Sequence, residues 1–98
     1  MRAVTLGDVA AAARTLMAVA EPERAALIRQ LLDEAACADR YRRWWGQEHP
    51  RLGNGTLMAR AMARPQADVA GPGDPAYLAA LAQVIEAALD WRCGDASG

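Results

Sequence analysis

Arg40, Tyr41, Arg42, Arg43, Trp44, Trp45 and Arg51 are the residues of this chain whose types and spacing suit contact chemistry. Arginine pairs bidentately with carboxylate or phosphate and stacks on aromatic rings. Indoles anchor protein–protein contacts and also stack on nucleic-acid bases. The surrounding stretch, residues 39–64, holds six of the eleven arginines, the only histidine and two adjacent tryptophans. Its six Arg stand against Asp39 and Glu48, a formal +4, while the remainder carries five Arg against ten acids, a formal −5. A nearly neutral chain is thus polarised into a basic aromatic centre and acidic flanks.

Two kinds of contact fit this pattern. The first is a non-catalytic protein-interaction module that meets another protein, or its own copy, through Arg40, Arg43, Trp44 and Arg51. The second is a small nucleic-acid-binding regulator using the Arg/Trp-rich region 39–64. Acidic flanks favour the first, because they repel phosphates within roughly a Debye length of ~8–10 Å. The net charge of −1 and pI near 5.7 also argue against a whole-molecule nucleic-acid binder. A structural role competes with both. Adjacent helical residues diverge by about 100°, so Trp44 and Trp45 cannot both face one core. The spacing predicts Tyr41 and Trp45 inward and Trp44 as the more exposed indole.

Catalytic chemistry finds little support. Zinc sites need converging ligands at spacings such as His-x3-His or Cys-x2-Cys. His49 is the sole histidine, and Cys37 and Cys93 lie far apart in sequence. His49 reads as a loop residue before Pro50, satisfied by water or backbone. A nucleophilic Cys needs a nearby base and a lowered pKa. Cys37 sits among alanines in a helix, and Cys93 lies near a helix C-terminus, where the dipole disfavours an anion. No bridge between them and no metal are expected. Gly53-Asn54-Gly55-Thr56 precedes a helix start, where free amides attract anions, but no Lys follows. Turn-and-cap chemistry explains it better than a phosphate cradle. The chain is expected not to be an enzyme, and no cofactor is implied.

The elements that position these residues are helical. Thr5 and Asp8 spell a capping box, and Leu6, Val9, Ala10, Ala13, Leu16, Met17 and Ala20 form a stripe, giving a helix over 6–19. Pro22 between two acids starts a second helix. It runs 22–45 with Leu27, Ile28, Leu31, Leu32, Ala35, Ala36 and Ala38 inward, and with Arg29–Asp33 and Asp39–Arg43 pairs on the solvated face. Gly46 ends it and a tight turn follows at residues 53–55. Thr56 caps a short helix over 57–64 with Leu57, Met58, Ala61 and Met62 as its stripe. Residues 65–73 form a polar, mobile Pro/Gly loop. Asp74-Pro75 then opens a helix over 75–92, with Leu78, Leu81, Ala82, Ile85, Ala88 and Leu89 facing the core.

The fold class is all-α: one compact domain, 1–98, of about four helices around the long second one. Residues 1–4 and 94–98 are expected to be flexible. Alanine supplies much of the 53% hydrophobic content and there is no Phe, so Leu, Met, Val, Trp and Tyr must provide most of the core energy. Ala18-Val19-Ala20 mimics a signal-peptide cleavage site, but Asp8 and Arg14 interrupt the apolar run. No stretch approaches the ~20 apolar residues of a membrane span, and two scattered cysteines fit a reduced, cytoplasmic protein.

GDV near the N-terminus, ADRYRRWW, GNGTLMARAM and DPAYLAALAQVIEAAL together give the chain a family likeness. It resembles a group of small uncharacterised helical proteins from GC-rich bacteria of the Rhodobacter type. The resemblance covers most of the chain and implies a helical fold, with no known activity.

Overall fold

The computed structural model describes residues 3–97, with side chains described as far as Arg92. Helix α1 spans Leu6–Met17, α2 Glu21–Trp45, α3 Leu57–Met62 and α4 Pro75–Ser97. Among the described residues no strand occurs, and the only sheet-like pairing is an isolated bridge between His49 and Gly53. At 1.5 Å per residue, the 25 residues of α2 match the 40 Å long dimension of the molecule.

The caps form as the residue types dictate. The Thr5 hydroxyl accepts from the Asp8 amide at 3.2 Å, and the Asp8 carboxylate accepts from the Thr5 amide at 2.8 Å. Pro22 sits in the first turn of α2, and Gly46 ends it in the left-handed region at φ +70. Thr56 caps α3 through the Ala59 amide at 3.1 Å, and Asp74 caps α4 through the Ala76 amide at 3.0 Å. Helix α4 continues past 92 to Ser97, so the segment expected as a loose tail is helical through that point.

Among the described residues, nine of the sixteen buried hydrophobic ones are alanines. Small side chains let backbones approach closely, and α1 packs against all three other helices. The large fully buried residues are Leu16, Ile28, Leu31, Leu32, Leu57 and Val84. The methionines contribute less than expected, since Met58 and Met62 are exposed while Leu57 and Ala61 alone carry the buried side of α3. Helix α1 is turned so that Ala11, Ala12 and Thr15 join Val9, Ala13 and Leu16 inside and Leu6 points out.

Helix α4 departs from the expected rotation. Its buried side is Ala80, Val84 and Ala88, with Tyr77, Leu81, Ala87 and Trp91 packed partly against the core. Leu78, Ile85 and Leu89 are exposed. The helix has two apolar faces, and periodicity alone selects the one with larger residues. Contact with alanine-rich α1 selects the other, because small residues permit the closer approach. Trp91 reinforces this rotation by donating from Nε1 to Asp33 Oδ1 on α2 at 2.9 Å. Asp33 therefore serves the α2–α4 contact. We expect Val84→Ala to cost about 1–3 kcal/mol and Ile85→Ala under about 1 kcal/mol in denaturant melts. The reverse ranking would refute this rotation.

The 65–73 loop is strapped across α1. The Ala67 amide donates to the Arg14 carbonyl at 3.0 Å, and Arg14 Nε returns a bond to the Ala67 carbonyl at 3.1 Å. Gln66 Nε2 donates to the Ala11 carbonyl at 3.1 Å. Where the Pro/Gly composition predicts mobility, the first half of the loop is tied down by backbone and side-chain bonds.

Candidate functional site at the end of helix α2

The buried side of α2 runs Ile28, Leu31, Leu32, Ala35, Ala36, Ala38 and ends at Asp39. Beyond Asp39 no residue of the helix is fully buried. Helix α3 is only six residues long and does not extend the cover to the last turn of α2. That turn therefore overhangs the core.

Trp44 is 84% exposed and Trp45 67% exposed. Trp44 is the more exposed indole, as the spacing predicts. Trp45, expected to enter the core, does not. It leans on Tyr41, with ring centroids 6.1 Å apart. Tyr41 is half-buried and meets the His49 ring edge-on at 4.7 Å. The aromatic residues form a surface chain, Trp45–Tyr41–His49, in place of the expected inward pair. Of the proposed partner-binding residues, Arg40, Arg43, Trp44 and Arg51 are all exposed. Arg40 and Trp44 share one helix face by their i,i+4 spacing. Arg51 stands on the adjoining loop.

Two other arginines of the basic stretch are engaged inside the fold. Arg60 donates from Nε to Glu34 at 3.0 Å and from a terminal nitrogen to the Arg51 carbonyl at 3.1 Å. Arg64 lies 3.7 Å from the same carboxylate. One acid on α2 thus collects two arginines from α3 and its exit, Arg43 pairs with Asp39 while staying exposed, and the remaining exposed basic charge of residues 39–64 lies at Arg40 and Arg51.

The loop holding Arg51 is built by its own residues. His49 and Gly53 exchange backbone bonds at 3.1 and 3.2 Å. His49 Nδ1 accepts from the amides of Arg51 and Leu52, both at 3.0 Å. The histidine is a turn-forming acceptor. Asn54 Oδ1 accepts from the Thr56 amide and hydroxyl at 3.0 and 2.7 Å. Asp8, buried in α1, accepts from the Met58 amide at 2.9 Å. An internal carboxylate therefore occupies the N-terminus of α3, where a phosphate would sit, and the 53–56 segment is turn-and-cap structure.

The i,i+4 spacing puts Asp39 on the solvated face as a partner of Arg43. The pair forms, but Asp39 is buried. Burial by itself raises its pKa, yet cationic groups beside it, Arg43 among them, outweigh this and hold the carboxyl below the ordinary carboxylate value. A depressed folded pKa contributes stability that is present above the unfolded value near 3.9 and is lost as pH falls through the folded value. We expect the wild type to lose stability below about pH 4, and Asp39→Asn to show a shallower loss in that window. Denaturant melts across an acid series measure this. Equal slopes would exclude Asp39 as a contributor.

No three of His, Cys, Asp and Glu among the described residues gather where a metal could bind. Cys37 is a half-buried free thiol; the side chain of Cys93 lies outside the described residues. A cleft of about 310 Å³ opens elsewhere, between the end of α1 and the start of α2, lined by Thr15, Val19, Leu27, Arg64 and Pro65. No described helix is long and apolar enough to cross a membrane.

Among known proteins, the profile of a family described as Domain of unknown function (DUF7742) matches residues 2–88. No curated protein and no solved structure matches the chain.

Proposed function

We propose that this chain, which belongs to the DUF7742 family, is a non-catalytic protein-interaction module whose contact surface is the overhanging end of α2. The observation that carries the reading is the exposure of two neighbouring indoles beyond the last core residue of that helix. Exposed tryptophans forfeit the apolar burial that would stabilise the monomer. Trp44 and Trp45 with an arginine rim match the composition of binding hot spots. Arg40, Arg43 and Arg51 supply charge-assisted bonds to an acidic or carbonyl-rich partner surface. Trp45 joins the four residues that the sequence pattern selects.

The all-Arg basic content and the family resemblance support a GC-rich bacterial source, and the two scattered cysteines support a reduced, cytoplasmic protein. The second reading, a nucleic-acid-binding regulator using region 39–64, draws on the same Arg and Trp residues. Engagement of Arg60 and Arg64 with Glu34 shrinks the basic surface available to it.

Trp44→Ala and Trp45→Ala should each leave stability within about 1 kcal/mol of wild type, because neither indole is buried. Both should weaken partner capture. The test is affinity capture from the source bacterium, with and without nuclease, read by mass spectrometry and by the 260/280 absorbance ratio. A protein partner that survives nuclease and is lost in both variants supports the module. Nuclease-sensitive capture with a raised ratio, and a salt slope reduced by Arg40→Glu, would favour nucleic acid. Capture unchanged by any of these substitutions would rule the surface out.

A further inference from the structure

We propose that the outward face of α4 is the interface of a symmetric, antiparallel homodimer of this chain. The face consists of Leu78, Ala82, Ile85 and Leu89, spaced 4, 3 and 4 residues apart. That is the spacing of a two-helix seam, in which alternate steps of three and four keep one edge toward a partner helix. Leu78, Ile85 and Leu89 are 50%, 46% and 59% exposed. Helix α4 already satisfies the monomer core through Ala80, Val84 and Ala88, so the outer seam is a second apolar face on the same helix. A shallow cleft of about 240 Å³, lined by Val4, Val9, Ile85, Ala88, Leu89 and Arg92, runs along its edge. The cleft can receive side chains of an apposed helix.

Charge placement identifies the occupant. Asp74 stands at the N-cap of α4 and Arg92 stands 18 residues later. Eighteen residues are five turns at 3.6 per turn, so both lie on one line of the helix, beside Ile85. The other acids of this helix segment, Glu86 and Asp90, project about 100° or more away from Ile85. The seam therefore carries a negative group at its start and a positive group at its end.

A second copy laid antiparallel brings Arg92 of each chain to Asp74 of the other. The Asp74 carboxylate uses Oδ1 for its cap, which leaves Oδ2 to receive the guanidinium. Within one residue of that register, Leu78 faces Leu89 of the second copy and Ala82 faces Ile85, so small meets large at the centre. One alignment thus satisfies the apolar layers and both ion pairs. A parallel arrangement would set like charge on like charge. Antiparallel helix dipoles add to the preference, and a two-fold axis makes the contact self-complementary and closed.

Sedimentation velocity on the full chain, from micromolar to submillimolar concentration, tests the proposal. The expected result is a reversible dimer of twice the 10.5 kDa chain mass. Ile85→Glu places two carboxylates near the two-fold axis and should raise the dimer Kd by about a hundredfold or more. At concentrations where both proteins are monomeric, its circular dichroism and melting should stay near wild type, because the site is exposed in the monomer. Arg92→Asp should weaken the dimer by about tenfold. Orientation is read by cysteine cross-linking in a Cys37→Ser/Cys93→Ser background. Leu78→Cys protein mixed with Leu89→Cys protein should oxidise to a linked dimer, while either alone should not. A chain that stays monomeric throughout, a dimer indifferent to Ile85→Glu, or linkage by Leu78→Cys alone would overturn the proposal. So would a monomer whose Ile85-dependent contact proves to be with a different protein.

Discussion

Gly55→Ala should cost about 3 kcal/mol or more in urea or guanidinium unfolding. Two costs combine at this position. Gly55 has φ +90, in the region where a Cβ costs an L-residue roughly 1–2 kcal/mol. The added Cβ would also lie 2.9 Å from both Cα and Cβ of Asp39 and 3.1 Å from its backbone nitrogen. Those atoms belong to the body of α2 and cannot rotate aside. The loop must lift from the helix, at about 1–3 kcal/mol for overpacking, and the buried Asp39 carboxylate then meets water. Gly46 is the contrasting case. It has φ +70, and a Cβ added there would have nothing within 4 Å. Gly46→Ala should therefore cost only the backbone share, about 1–2 kcal/mol. Equal losses at the two glycines would show that the close approach of loop and helix does not matter.

Asp8→Ala should cost about 2–5 kcal/mol, well above a lost helix cap. A helix cap alone accounts for about 1 kcal/mol. Asp8 does more than close α1. Its carboxylate accepts from the Thr5 amide and hydroxyl at 2.8 and 3.0 Å and from the Met58 amide at 2.9 Å. Removing it leaves backbone donors of two helices without this acceptor at part-buried positions, at up to about 1–3 kcal/mol each. Thr5→Ala removes only the first helix's cap and should cost about 1 kcal/mol. Asp8→Asn keeps one carbonyl and should fall between. If Asp8→Ala and Thr5→Ala prove equal, the bond to α3 contributes nothing to stability.

The sequence by itself determined the local roles in this protein. Thr5 and Asp8 as a capping box, Thr56 and Asp74 as caps, and Gly46 as a helix stop are matters of short-range chemistry. Each needs partners within about four residues, and the chain supplies those partners wherever it folds. The four helices follow for the same reason. So does the inward face of α2, where large residues occupy one side only.

Tertiary structure decided what depends on partners distant in sequence. Asp8 reaches Met58 across 50 positions, and Gly55 meets Asp39 because a loop returns to the helix. Neither spacing leaves a local signature. Helix α4 offers Val84 on one side and Ile85 on the other, so its own pattern does not choose. Alanine-rich α1 chooses, by admitting only the side that lets the two backbones close. The periodicity of α2 would send Trp45 inward only if the helix were covered to its end. The cover stops at Asp39, since α3 is too short to continue it. The side of a helix is written in its sequence, whereas the length over which a neighbour covers it is a property of the packed chain.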